Sequence, residues 1–389
     1  MPKPDQPAEH QQQTHEAIQR ADANGEESSS WIPAPASGTF RDVFIGRDGL
    51  RAGWSLLIYL ALFAGLLIST GNLVRVIRHH STSSKSSVAE QSSNPGAPQP
   101  SNLMPISTVL ISEGISIFAV VVATWVMGKI EGRSNTIYGL GGRRRLPNFI
   151  AGLGWGVAML SLLIFVLRST GLLGFDAREL FGGSACGYGA AWLGGFLLVG
   201  LFEEYGFRGY LQFTMARGIN GIYDWLRGFG TRATERREAG PDLPELCTTN
   251  QNTPGFWISA VLISFGFGFV HHTNAGESPI GLLSAGLVSL VFCLSLWRTG
   301  SLWWAIGFHA AWDWAESFLY GVADSGVMIQ DHFRSTHPLG SPILSGGLTG
   351  PEGSIYILPI LGLTAVVILL TLPDARHNPA ASPSNPTLG

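Results

Sequence analysis

Eight apolar stretches, each about the length of a membrane-spanning helix, dominate this sequence: 52–74, 105–128, 148–167, 189–215, 255–275, 279–297, 301–320 and 354–372. A hydrocarbon core of ~30 Å needs about 20 such residues per helix. Inside lipid every backbone polar group must be satisfied within the protein, which makes a helix the form each stretch can take. The expected fold class is therefore all-α, a polytopic transmembrane helical bundle of about eight transmembrane helices over residues 52–372. Composition agrees, with 46% hydrophobic and 13% charged residues, where an ordinary soluble domain carries about 25% charge. The 12 Trp, 21 Phe and 50 Gly suit aromatic anchoring at interfaces and close helix contact. Residues 1–50 read as a disordered N-terminal tail, polar and rich in Gln, Ala, Ser and Pro over the first 38. They lack the basic-then-apolar pattern of a cleaved signal peptide. Residues 373–389 read as a second disordered tail.

The basic residues give an orientation. With the N-terminus in the cytoplasm, 18 of the 24 Lys and Arg fall on cytoplasmic segments and 6 on the other side, the bias expected for a multi-pass protein of the cell membrane. Eight spans then leave both termini cytoplasmic. Two long polar links, 75–104 and 321–353, fall on the outer face. The longest cytoplasmic link, 216–254, carries the mixed-charge run Thr234 to Ala239, expected to be a solvated face. The link 298–300 is so short that the spans on either side should form an antiparallel pair. The net charge of −3 argues against a nucleic-acid partner. Cys186, Cys247 and Cys293 have no metal-knuckle or disulfide spacing.

Ionisable residues inside such spans cost roughly 2.5–3.5 kcal/mol each on insertion scales, so each is a candidate for function. The fourth span carries Glu203, Glu204 and Arg208. Glu204 and Arg208 at i and i+4 share a helix face and can pair, leaving Glu203, about 100° round the helix, to face another helix. The bland alternative is an ion-pair staple without catalysis. The fifth span ends with His271 and Asn274 at i and i+3, with His272 pointing elsewhere. The seventh carries His309, Asp313 and Glu316 as one polar stripe. Polar groups in lipid need one another, so these three faces should converge. A carboxylate with imidazoles can hold a divalent metal and activate its water. Alternatively, Glu203 with His271 can deprotonate water directly, while Arg208, Asn274 or a His stabilises an oxyanion. Both schemes stay open. No HExxH helix or GxSxG elbow is present.

The ordered strings E-E-x-x-x-R (Glu203, Glu204, Arg208), F-x-x-x-H (Phe267, His271) and H-x-x-x-D (His309, Asp313) resemble the CPBP family of intramembrane proteases. That family, also called Abi or CAAX-protease-like, includes the eukaryotic prenyl-protein endoprotease. The resemblance covers roughly residues 189–320, the expected catalytic core. It implies an eight-helix fold and an endopeptidase, of metallo- or glutamate-type, acting on membrane-associated or lipidated protein substrates in the bilayer. It also implies that Glu203 and His271 activate water, that His309 and Asp313 complete the site, and that Glu204 and Arg208 belong to it. A metal such as zinc, if one is used, would be held by Glu203, His271 and His309; the alternative is no cofactor. Asp313 stands where Asn is common in the family, and the 216–254 insertion is a second departure. The chain ends Pro386-Thr-Leu-Gly, without a CaaX signal of its own.

Depth sets one tension. Glu203 and His309 lie at the midpoints of their spans, whereas His271 lies six residues past the midpoint of the fifth, about 9 Å towards the outer face. A later start near Trp257, with an end past Asn274, would narrow the gap. Two rival functions follow from the same residues. One is a non-catalytic membrane interaction protein, such as an immunity or scaffold protein on the same fold. The other is a transporter or proton relay with Glu113 as a further member, which should show repeated halves with broken helices; the sequence shows no such symmetry.

Overall fold

The computed structural model describes residues 43–46, 49–82, 103–142, 144–228, 254–274 and 276–373. The two tails, most of the 216–254 link with its 234–239 charge run, and Cys247 lie outside the described residues. Residues 1–47 form a separate unit, whose described part includes the two extended residues Ile45–Gly46. All else concerns the unit from Asp48 onward.

Each of the eight apolar stretches forms a helix. They are α1 (Ala52–Thr82), α2 (Ile106–Glu131), α3 (Arg145–Ser169), α4 (Gly182–Glu203), α5 (Gln212–Gly228), α6 (Pro254–Val270), α7 (Pro279–Thr299), α8 (Trp303–Asp313) and α9 (Ile357–Thr371). The count is nine because the fourth stretch runs as α4, a π-helical segment Glu204–Leu211, and then α5, continuous over Gly182–Leu226. Among the described residues, six helices are long and apolar enough to cross a membrane, from Ala52–Arg75 to Pro279–Thr299. The seventh and eighth stretches give shorter helices: α8 with its π-helical extension Trp314–Leu319, and α9, at 15 residues. The architecture is a polytopic all-α membrane bundle.

Local chemistry fixes several ends. Pro105 precedes α2, and Gly132 closes it in the left-handed conformation at φ 66°, which glycine adopts without steric cost. Ser278 caps α7 by accepting from Gly281 N at 3.0 Å, with Pro279 following, and Gly300 ends it at φ 65°. At one end of the bundle Glu131 accepts from Tyr210 Oη and from Arg217 Nη2, both at 3.2 Å, and Arg217 also donates to Ser55 Oγ at 3.0 Å. That node ties α1, α2 and the π segment to α5.

The short link before α8 does not make α7 its main neighbour. α8 packs instead against α3 and α4, because Gly152 and Gly156 on α3 and Gly307 on α8 let the backbones touch. A Cβ on Gly152, Gly156 or Gly307 would overlap the carbonyl oxygen of Trp304, Phe308 or Phe149 respectively. Small residues four apart are what permits such approach in lipid. Around this contact lies the main core, with Leu160, Leu163, Trp304, Phe308 and Ile368 almost fully buried. Outside the helices, β1 (Leu173–Arg178) pairs antiparallel with β2 (Arg334–Pro338), Gly174 opposite His337. This hairpin-like pair clips the 321–353 link to the end of α3.

Because Gly307 abuts backbone, Gly307→Ala is expected to destabilise by about 1–3 kcal/mol through overpacking. The readout is a lower thermal unfolding midpoint of the detergent-purified protein. Gly154, beside which a Cβ would meet open space, should accept Ala without loss.

Candidate functional site

The helix carrying the acidic pair changes character at the pair itself. α4 ends at Glu203, and the wider π-helical turn begins at Glu204. Such turns inside α-helices are rare and frequent at functional sites. Arg208 Nη1 donates to Glu204 Oε1 at 2.7 Å, and both side chains are fully buried. This is the pair expected from their spacing. The guanidinium lies over the Phe267 ring of α6, 4.1 Å from its centroid, and 5.6 Å from that of Phe292 on α7. A weakly hydrated, planar cation tolerates that setting better than an ammonium would.

Glu204 holds a second partner, one its helical spacing does not point to: His309 Nδ1 donates to the same Oε1 at 2.9 Å. A carboxylate accepts only, so Nδ1 carries the hydrogen and the ring orientation is fixed. His309 Nε2 then points to Glu203 Oε2 at 3.7 Å and to Asp313 Oδ2 at 3.6 Å. Glu203 is the most exposed of the group, with 20% side-chain exposure against 8% for Asp313 and none for Glu204. Its side chain is the most accessible of these three carboxylates, while Asp313 lines the neighbouring cavity.

His271 sits elsewhere on the same cavity. α6 ends at Val270, and His271–Thr273 form a single 3-10 turn. The helix stops earlier than the depth argument required, and Asn274 leaves it altogether, extended at φ −73° and ψ 134°. The shared helical face of His271 and Asn274 is therefore not formed. His271 Nδ1 donates to the Phe267 carbonyl at 2.7 Å, which leaves Nε2 as its free ring nitrogen. His271, His309 and Asp313 line one cavity of about 50 Å³, together with Phe267, Ser325 and Glu352. Ser325 and Glu352 come from the 321–353 link, where nothing in the sequence marked them. No ion pair joins His271 to Glu203 among the described residues.

The polar stripe of the seventh stretch also divides. His309 and Asp313 face the site, but after Asp313 the backbone widens into its π turn, and Glu316 is buried towards Asp324 and Glu352. Burial and the neighbouring carboxylates Asp313 and Glu352 hold the Asp324 carboxyl well above the usual range. Burial likewise raises Glu277, beside His271, against a backbone hydrogen bond from Ser278.

The donor set was tested for a metal. A tetrahedral zinc draws its ligand atoms to about 3.5 Å from one another. His309 Nε2 meets Glu203 and Asp313 near that separation, and the Glu204 contact at Nδ1 is the outer partner that ligating histidines carry. Glu203, His271 and His309, however, do not bring their ligand atoms within 4.8 Å of one another among the described residues; the acidic group Glu316, Asp324 and Glu352 does. That expected triad does not fit a metal in this arrangement.

Removing the cation from a buried pair strands the carboxylate. Arg208→Met should cost about 3–5 kcal/mol, and the double variant Glu204→Gln with Arg208→Met should recover part of it. Unfolding midpoints of the three proteins check this; a single variant as stable as wild type would refute the pairing as a structural anchor.

Residues 187–315, about a third of the chain, match the family model described as Type II CAAX prenyl endopeptidase Rce1-like. No curated protein and no solved structure gives a match. The matched segment holds Glu203, Glu204, Arg208, His271, His309 and Asp313, and leaves out Glu316 and the link that follows. The chain is a multi-pass membrane protein whose residues 187–315 are similar to the Rce1-like CAAX prenyl endopeptidases.

Proposed function

We propose that the protein is an intramembrane endopeptidase that hydrolyses a peptide bond near the membrane end of a lipid-anchored or membrane-embedded polypeptide. The observation that carries this reading is the position of His309. Its Nδ1 is locked by the buried Glu204–Arg208 pair, and its Nε2 is turned to Glu203 and Asp313 beside a polar cavity. A staple alone needs only the Glu204–Arg208 pair; it does not need a further imidazole aimed at a second, accessible carboxylate.

The roles follow from donor and acceptor chemistry. Glu203 accepts a proton from a water molecule, whose oxygen attacks the scissile carbonyl. The proton passes to the departing amine as the carbon–nitrogen bond breaks, leaving a new carboxylate and a free amine. His309, oriented through Nδ1, presents Nε2 to the scissile carbonyl and, carrying a proton there, donates to the developing oxyanion. Asp313 keeps that imidazole aligned. His271 Nε2, across the cavity, orients the attacking water or the substrate carbonyl. Glu204 and Arg208 are positioning residues. The apolar part of the lining (Phe267, Val288, Phe292, Phe308 and Leu361) suits the apolar side of a substrate at the cavity, whose volume of about 50 Å³ holds the attacking water rather than a lipid chain.

The test is cleavage of a lipidated C-terminal peptide and of a transmembrane reporter by the purified protein in proteoliposomes. Wild type is expected to cleave the lipidated one. Glu203→Ala and His309→Ala should each lose at least about a hundredfold, the usual range for an acid–base group, with the fold intact by unfolding midpoint. A chelator arm separates the schemes: activity unchanged by chelation supports water activation by Glu203 alone, and abolished activity restored by zinc supports a metal. Cleavage at wild-type rates by both variants would sink the assignment and leave the non-catalytic interaction reading.

A further inference from the structure

Beyond the matched segment, three carboxylates from separate stretches meet at one point. Glu316 lies in the π turn after α8, Asp324 in a tight loop closed by the Asp324–Val327 backbone pair, and Glu352 in the 3-10 turn Pro351–Gly353. One oxygen from each lies within 4.8 Å of the others. The loops that bring them there are fastened together: Val322 N donates to Glu316 O at 3.1 Å, and Gly326 N to Thr349 O at 2.9 Å. At Gly350, φ 103°, a Cβ would overlap the Ala323 carbonyl and come up against the Glu316 carboxylate. Only glycine combines that backbone with that clearance.

Two of the three acids have neutral partners. Glu352 accepts from Trp312 Nε1 at 2.9 Å and from Ser325 Oγ at 3.0 Å, and Asp324 is 3.4 Å from Ser317 Oγ. Glu316 has none. It is fully buried, and neither of its carboxylate oxygens has a hydrogen-bond partner among the described residues. No Lys, Arg or His forms an ion pair with any of the three among the described residues. A desolvated carboxylate with both oxygens unsatisfied, aimed at two more, is among the costliest arrangements a protein can hold. A compact cation placed between them relieves it.

We propose that Glu316, Asp324 and Glu352 form a binding site for a hard divalent cation of the calcium class, separate from Glu203 and His309. The donors are all oxygens, without the imidazole or thiolate that zinc or copper favours. Calcium takes oxygen ligands at 2.3–2.6 Å, so oxygens on opposite sides of it lie about 5 Å apart, the reach of this group. Magnesium holds on to several waters, which a fully buried Glu316 leaves little room for. The bound ion joins the 321–353 link to α8 one turn beyond Asp313. It thereby fixes Ser325 and Glu352, which line the cavity beside His309. The proposal does not depend on catalysis by Glu203.

Terbium luminescence tests it, because Trp312 hydrogen-bonds Glu352 and can sensitise an ion held there. Full-length protein in nanodiscs, stripped with chelator and exchanged into metal-free buffer, is titrated with Tb³⁺ under tryptophan excitation. Expected are a saturable signal, displacement by Ca²⁺ in preference to Mg²⁺, and a rise in unfolding midpoint with Ca²⁺. Glu316→Gln and Asp324→Asn should weaken binding at least tenfold, and Glu203→Gln should bind as wild type does. If Glu316→Gln does not fold, Glu352→Gln, at the less buried corner, carries the same expectation. Absence of saturable binding overturns the proposal, as does unchanged binding in the folded carboxamide variants. So does wild type that binds no Tb³⁺ while Glu316→Gln melts higher than wild type in metal-free buffer, the signature of carboxyls sharing protons.

Discussion

A carboxylate buried among apolar helices must find positive or donating partners or surrender its charge. Glu204 is the carboxylate around which this bundle is arranged. One of its oxygens takes Arg208 from its own segment and His309 from α8. Arg208 in turn lies flat on Phe267 of α6 and faces Phe292 of α7. A single charged atom therefore orients side chains on four elements. It does so where the alternative, an unpaired group in a low dielectric, is expensive enough to exclude other rotamers. The accessible Glu203 gains its setting from this arrangement: its imidazole neighbour is already fixed before any ligand arrives.

The backbone contributes a second device. Both polar strings lie where an α-helix opens into a π-helical turn, between Glu203 and Glu204 and between Asp313 and Trp314. On a regular α-helix adjacent residues diverge by about 100°, and two neighbouring glutamates cannot readily serve one imidazole. Here both are served by one ring with two nitrogens, Glu204 meeting His309 Nδ1 at 2.9 Å and Glu203 facing Nε2 at 3.7 Å. The π turn after Asp313 separates Glu316 from the stripe it would share with His309 on an α-helix, and sends it to the acidic cluster.

What could be read in the sequence follows the range of the forces involved. Apolar length and local pairing are one-dimensional properties, so eight helical stretches and the Glu204–Arg208 pair were legible. So was the convergence of Glu203, His309 and Asp313, since polar groups in lipid have few other places to go. Less legible was where α6 stops. The apolar run continues to Val270 and the polar residues after it fit a helix equally well, yet His271–Thr273 tighten and Asn274 turns away. The neighbour of α8 was hidden for another reason. A short link favours α7, but contact is decided by the glycines at 152, 156 and 307, which allow α3 closer. Ser325, Asp324 and Glu352 come from a polar link with no periodicity, and only tertiary packing brings them to the site.

That link also bears on how water reaches a buried hydrolytic centre. The cavity is large enough for a few water molecules and no more. One wall, buried within the bundle, is aromatic and aliphatic, with Phe267, Phe292, Phe308 and Leu361. Its polar lining comes from His309 and Asp313 of α8, from His271 just past the end of α6, and from Ser325 and Glu352 of the link. Water at such a centre finds hydrogen-bonding partners on the link as well as on α8, and an apolar or lipidated chain finds its contacts on the aromatic and aliphatic side. On the proposed reading the two reactants approach from opposite walls and meet at the Glu203–His309 pair. The displacement of His271 from the midpoint of its stretch then has a physical role. One imidazole, His309, is already level with Glu203, and His271, past the end of α6, adds a second on the side of the cavity that the link completes.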